Sequence, residues 1–207
     1  MAKKNYQSFN GCGIDIAEHR ADDLDDKAIS YLDTKEKAKV LDLGCGALGF
    51  SKRVVSTETK VVAIDVADFS HKLTPGDTIQ FIQADVRQLP EIVGITDTVC
   101  QRTLHYLRFN EALTLLKQLY VMTDDRLFIS VSGLSSYIGE CLIKKEQNIE
   151  DRFSDLSAEG QLKFGINSPV CLYSEEEFRD LLIQAGWQID ELWMSAFKNI
   201  KAVCSHR

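Results

Sequence analysis

Proline is scarce, three in 207 residues, so little in the chain forbids regular helices and strands. No apolar run approaches the roughly 20 residues that span a bilayer, and the opening MAKKNYQSFNGCGIDIAEH lacks the long apolar segment of a secretory signal. The chain therefore reads as a cytosolic protein with no membrane span. The six cysteines contain no C-x-x-C pair and the four histidines no H-x-x-H pair. A zinc site needs clustered ligands, so no metal is expected, and the cysteines read as buried free thiols. Positive charge is also in deficit, with a formal net charge of -7 and a pI near 5.1. A phosphate backbone would meet a repulsive surface, so nucleic acid is disfavoured and a small or uncharged substrate fits better.

What the chain has is a core's worth of apolar residues, 44% of the total, enough for one large domain over residues 1–207. Short runs rich in β-branched residues alternate with amphipathic stretches, the pattern of an α/β fold with a mostly parallel, doubly wound sheet. The strands are expected at Lys39–Leu43, Lys60–Asp65, Thr78–Gln83, Asp97–Gln101 and Arg126–Ser132. A first helix is expected over Asp22–Leu32, with Leu24, Ala28, Tyr31 and Leu32 on one stripe. Asn110 can cap a second, whose stripe is Ala112, Leu113, Leu116, Leu119 and Tyr120. Ser174 and Glu177 form a capping box for a third, which Gly186 ends. The terminal WQIDELWMSAFKNIKAVCS reads as two strands joined near Ser195–Phe197, an antiparallel hairpin closing the sheet.

The segment VLDLGCGALGF places a strand, then Asp42, then Gly44, Gly46 and Gly49, then a helix. Glycines at such a turn let a ligand approach the backbone closely. About 20 residues on, the second strand ends at Asp65, and about 20 further the third ends close to Asp85. Three carboxylates thus fall at or just past the ends of successive strands, the edge where open α/β sheets bind ligands.

VLDLGCG, VVAIDVAD and FIQADV, in that order, resemble class I S-adenosylmethionine-dependent methyltransferases from Lys39 onward; TDTVCQRTLHYL and LYSEEEFRDLLIQAGW resemble later segments of the same family. The resemblance implies S-adenosylmethionine as cofactor, a seven-stranded sheet with an antiparallel last strand, and methyl transfer to a small-molecule acceptor. It implies that Asp65 takes the ribose hydroxyls, that Asp85 and the Val86 amide read the adenine edge, and that Gly44 and Gln101 flank the methionine end. The resemblance further implies that Asp42 would orient that end through the turn, with Gly46 in the turn itself. The N-terminal segment, 1–38, would cover the cofactor, with Arg20 on its carboxylate; a solvated Arg20 beside the acidic run Asp22, Asp23, Asp25 and Asp26 is the alternative. Many members carry a third glycine two residues after the second, where this chain has Leu48. The resulting G-x-G-x-x-G also fits a dinucleotide site, so an NAD(P)-dependent oxidoreductase stands as a rival. A non-catalytic S-adenosylmethionine-binding regulator is a third reading.

Methyl transfer is an in-line displacement that demands alignment and exclusion of water more than particular side chains. His105, just past the fourth strand, is the candidate general base, with a structural histidine as the alternative. Arg102, Arg108 and Tyr106 could serve an anionic or aromatic substrate or be ordinary rim residues. The 40 residues Gly133–Leu172 exceed what a connection needs, and they read as a lid of two short helices, one through Tyr137, Cys141 and Leu142, the other through Phe153, Leu156 and Leu162, with Gly160 and Gly165 as breaks. Aromatics there, Tyr137, Phe153, Phe164 or Tyr173, would suit an apolar or aromatic acceptor, or would merely anchor the insert.

Overall fold

In a computed structural model, residues 23–54 and 59–206 are described. Strands β1 (Ala38–Leu43), β2 (Thr59–Asp65), β3 (Ile79–Gln83), β4 (Ile95–Gln101), β5 (Thr123–Ser132), β6 (Gln188–Met194) and β7 (Asn199–Ser205) form one sheet in the order β3-β2-β1-β4-β5-β7-β6. β1 to β5 pair in parallel; β7 is antiparallel to both β5 and β6. Every expected strand is present, and the hairpin turns near Ser195, whose N–H bonds the Asn199 carbonyl at 2.8 Å.

Alternation along the strands assigns each face its helices. Leu41, Leu43, Val62, Ile64, Leu127 and Ile129 face one way, into a core with α3 (Phe109–Met122) and α6 (Glu175–Gln184). Val40, Val61, Ala63, Val99, Phe128 and Val203 face the other, against α1 (Asp23–Leu32) and α2 (Gly49–Val54). Burial on both faces explains the apolar runs VVAI of β2 and LFI of β5.

Several local expectations shift. α3 begins one residue before Asn110: Arg108 is its cap, and its backbone N–H bonds the Glu111 carboxylate at 2.8 Å. Leu115 joins its buried stripe while Leu113 and Tyr120 are only partly covered. The box on α6 is as expected: Glu177 N–H donates to Ser174 Oγ at 3.1 Å, and Ser174 N–H to Glu177 Oε2 at 2.7 Å. Gly186 then takes φ 105°, a left-handed stop.

Between β5 and α6 the insert contains α4 (Tyr137–Glu140) and α5 (Ala158–Phe164). Phe153 and Leu156 precede α5 rather than lie on it, Gly160 sits inside it, and Gly165 ends it. The insert has its own small core of Leu142, Leu156, Ile166, Val170 and Leu172. Its ends meet where Gly133 bridges Tyr173 and Leu134 N–H bonds the Tyr173 carbonyl at 2.7 Å. Arg152 fastens the middle, forking onto Glu177 of α6 at 2.7 and 2.8 Å and donating to the Leu172 and Gln147 carbonyls. No helix of the described residues is long and apolar enough to cross a membrane.

Candidate active site

A cavity of about 680 Å³ runs along the carboxyl ends of the strands. One end is formed at β1 to β3, where Gly44, Gly46, Asp65, Asp85 and Val86 line it. The other is formed at β4 and β5 by Arg102, His105, Tyr106 and Ser132, and is closed by Ile138, Phe153, Phe164 and Ile166 of the insert. Sheet order explains the junction: β1 and β4 are neighbours in space though distant in sequence, Val40 lying opposite Asp97, so the crevice opens where the winding reverses.

At the first end the turn after β1 is held by its neighbours. Gly44 has φ 72°, its N–H bonds the Ile64 carbonyl at 2.8 Å, and a Cβ there would collide with the Thr103 side chain. Only glycine meets both demands. Asp65 ends β2 with its carboxylate accepting the Gly46 N–H at 2.9 Å and the Ala67 N–H at 3.0 Å, fixing the acid between two strand-end loops. Leu48, at the position of the family's third glycine, adopts φ 66° while fully buried. The left-handed turn is thus retained without the glycine, its strain opposed by burial of the leucine.

Asp42 is not on the cavity wall. It lies beneath the turn, 4% exposed, accepting Ser51 Oγ–H at 2.5 Å. Burial pushes its carboxyl up to about 7, the Ser51 hydrogen bond opposes this, and Asp25 and Asp65 add to the rise. Asp85 caps the turn Val86–Gln88 through the Arg87 N–H at 2.9 Å, and the Arg87 side chain forks onto both its oxygens. That guanidinium holds the Asp85 carboxyl below the usual range. Gln101 lines the cavity, yet its amide also donates to Asp25 of α1. Arg20 lies outside the described residues.

Asp25 was named from the sequence only as one of the acidic run Asp22, Asp23, Asp25 and Asp26, with no role at the site. It is 3% exposed and links Gln101 to Arg53, whose Nη1 is 3.1 Å away. Its position beside Leu24 and three residues before Ala28, on the edge of the apolar stripe, was the available signal. Asp23 of the same run accepts the Trp193 indole N–H at 2.8 Å and pairs with Lys201.

At the second end, His105 lies where expected but is 2% exposed, with Nδ1 buried and without a hydrogen-bond partner among the described residues. Burial, reinforced by Arg102, lowers its imidazole to about 3, so it is neutral at physiological pH and a weak proton acceptor. Phe153 and Phe164 reach the cavity; Tyr137 is exposed on the outer surface and Tyr173 is buried in the main core. Arg108 stacks its guanidinium 4.8 Å from the Phe153 ring centroid, outside the cavity. Ile138, Ile166 and Pro169 complete the apolar wall, and no spacing rule singled them out because they come from separate turns of the insert.

No protein-family model matches the sequence, and no curated protein does. Solved structures do. A magnesium protoporphyrin IX methyltransferase from Synechocystis PCC 6803 with bound S-adenosylhomocysteine is similar at TM-score 0.64 and 19% identity over 88% of this chain and 82% of that one. The Burkholderia thailandensis 1,6-didemethyltoxoflavin-N1-methyltransferase, bound to 1,6-didemethyltoxoflavin and S-adenosylhomocysteine, gives 0.65 and 16% over 89% and 78%. An S-adenosylmethionine-dependent methyltransferase from Clostridium acetobutylicum ATCC 824 gives 0.63 and 12% over 89% of each chain. With the strand order and the antiparallel β7, these likenesses establish that the chain has the fold of the class I S-adenosylmethionine-dependent methyltransferases.

Proposed function

We propose that this protein transfers the methyl group of S-adenosylmethionine to a small-molecule acceptor. The observation that carries this reading is the placement of Asp65: a carboxylate at the end of β2, beside the Gly44 turn, held by two backbone amides and lining the cavity. A carboxylate can accept about four hydrogen bonds, so the fixed Asp65 suits a ribose diol. Asp85 and Val86 stand further along the same edge, after β3, and line the same cavity, where the adenine would lie. The Asp85–Arg87 pair is largely solvent-facing and so yields to a ligand at little cost. Gly44 and Gln101 border the methionine end, and Asp42 supports the turn from below through Ser51.

When bound, the cofactor supplies an electrophilic methyl on a sulfonium, displaced in line by the acceptor. The chain's own contribution is position and dryness: the insert covers the β4–β5 end with apolar side chains, and 680 Å³ is within the usual range for small-molecule sites. We assign choice of acceptor to the insert, Gly133–Leu172. The solved structures of the same fold whose titles name bound S-adenosylhomocysteine support the cofactor. The nicotinamide rival finds no support in the antiparallel β7.

Calorimetry with S-adenosylmethionine, S-adenosylhomocysteine and NADH tests the assignment. The first two bind and NADH does not, and Asp65→Ala weakens both by about 1 to 3 kcal/mol without unfolding the chain. Tighter binding of NADH, or unchanged affinity in Asp65→Ala, overturns it.

A further inference from the structure

Resting on that methyl-transfer reading, we infer that Asp25 is a positioning residue of the cofactor site. It fixes which way the Gln101 amide points, so that Gln101 turns its carbonyl oxygen to the cavity and accepts a hydrogen bond from the cofactor's ammonium. Gln101 ends β4 and lines the cavity. In the parallel register of β1 with β4, Leu43 lies opposite Cys100, so the next residue of each strand, Gly44 and Gln101, emerge side by side. A glutamine amide there can present either of two opposite edges, an NH2 that donates or a carbonyl that accepts, and only its partners decide which.

The decisive partner is Asp25. Its carboxylate is 3% exposed and divides its oxygens: Oδ1 accepts from Gln101 Nε2, and Oδ2 accepts from Arg53 Nη1 at 3.1 Å. An ionised carboxylate only accepts, so the NH2 edge of Gln101 faces Asp25 and the carbonyl edge is turned the other way. The seat is firm. Leu24 and Ala28 bury the same side of α1, and Arg53 is gripped a second time by Asp26. A side chain locked in this manner by its supporting contacts holds a ligand in one geometry.

A carbonyl acceptor selects a ligand that donates, and the surroundings favour a donor with positive charge. Burial raises the Asp42 carboxyl, and Asp25 and Asp65 add to the rise, so three acids lie within electrostatic reach of one another around the Gly44 turn. The ammonium of the cofactor's aminoacyl end brings N–H donors and a positive charge together.

The experiment titrates S-adenosylhomocysteine, and its deaminated analogue with hydrogen in place of the amino group, into the full chain by calorimetry. The wild type prefers S-adenosylhomocysteine by about tenfold or more. Gln101→Leu removes most of that preference and leaves binding of the deaminated analogue nearly unchanged. Asp25→Asn does the same with Gln101 in place: the one oxygen of the asparagine goes to Arg53, which only donates, so its NH2 faces Gln101 and the amide turns its own NH2 to the cavity. Adding Arg53→Met to Asp25→Asn frees that oxygen for Gln101 and restores most of the preference, a rescue that a merely structural Asp25 would not give. In the wild-type chain a nuclear Overhauser contact joins the Gln101 NH2 to the Asp25 methylene, which reads the orientation without any variant. Equal binding of the two ligands by the wild type, a preference that survives Asp25→Asn or Gln101→Leu, no rescue in the double variant, or absence of the Overhauser contact overturns the inference. Failure of the wild-type chain to bind S-adenosylhomocysteine would instead sink the methyl-transfer reading itself.

Discussion

The two ends of the cavity are built by opposite means. At β1 to β3 the wall is local: carboxylates at strand ends, fixed by amides of the adjacent turns, beside Val66, Ala67, Phe69 and Val86, with Asp42 buried below. At β4 and β5 it is assembled from distant segments, its apolar cover supplied by an insert that has its own core and is fastened to α6 by Arg152. A ligand common to many reactions needs fixed hydrogen-bond geometry, which short turns provide. An acceptor that differs between enzymes needs a wall that can change without disturbing the sheet, which an insert closed at its base by Gly133 and Tyr173 provides.

The largest effect should come from breaking the first end at its tightest point. Gly44→Val asks a β-branched residue to adopt φ 72° and to occupy the space of the Thr103 side chain. We expect a stability loss of about 2 to 5 kcal/mol in urea denaturation, with S-adenosylmethionine binding lost in whatever remains folded. Wild-type affinity and stability would show that the turn is not the cofactor's seat.

Next comes the clamp at the second end. Arg152→Ala leaves Glu177 without its guanidinium and two carbonyls without their donor, which should lower stability by about 2 to 4 kcal/mol. Methyl transfer to the true acceptor should fall roughly ten- to a hundredfold through misplaced insert contacts, while cofactor affinity is unchanged. A parallel fall in cofactor affinity would erase the distinction between the two ends.

How legible each end was in the sequence follows from the same contrast. Asp65 and the glycines of the turn could be brought to one edge from sequence because each directly follows or ends a short apolar strand, so strand spacing placed them at the cavity. The fold was legible for a similar reason: periodicity in β1, β2 and β5 reports burial on both faces, and Ser174 with Glu177 marks a helix start within four residues. Asp25 and the insert's Ile138 and Ile166 were not legible. Their roles arise only when α1 folds over Gln101 and when separate turns of the insert meet over the crevice. His105 was placed by position but not by chemistry, since its burial depends on tertiary packing that periodicity does not encode.

The smallest effect is a difference in sign with pH, and it tests whether the two ends are held by different forces. Asp42 has its carboxyl raised by burial from an ordinary 3.8 to about 7. The folded chain therefore holds a proton there that the unfolded chain releases, so stability from this group is greatest below the unfolded value and is lost as pH rises toward 7. Glu177 is the reverse: burial would raise it, but Arg152 and the Ser174 amide outweigh burial and lower it from 4.5, so its contribution is present above that value and disappears as the solution is acidified. Between pH 5 and pH 8 two groups act in opposite directions: Asp42 should cost about 2 to 3 kcal/mol across that interval, while His105, lowered by burial from 6.5 to about 3, should return about 2 kcal/mol of it as the unfolded imidazole loses its proton. Asp42→Asn removes the first titration and leaves that of His105, so relative to wild type its stability should rise by about 2 to 3 kcal/mol toward alkali over that interval, whereas Glu177→Gln should leave the slope there unchanged and alter the curve only below about pH 4.5. Urea midpoints measured at half-unit pH steps would resolve the two. An Asp42→Asn curve that runs parallel to wild type from pH 5 to pH 8 would mean that Asp42 is already ionised beneath the turn, and that the first end tolerates a buried charge.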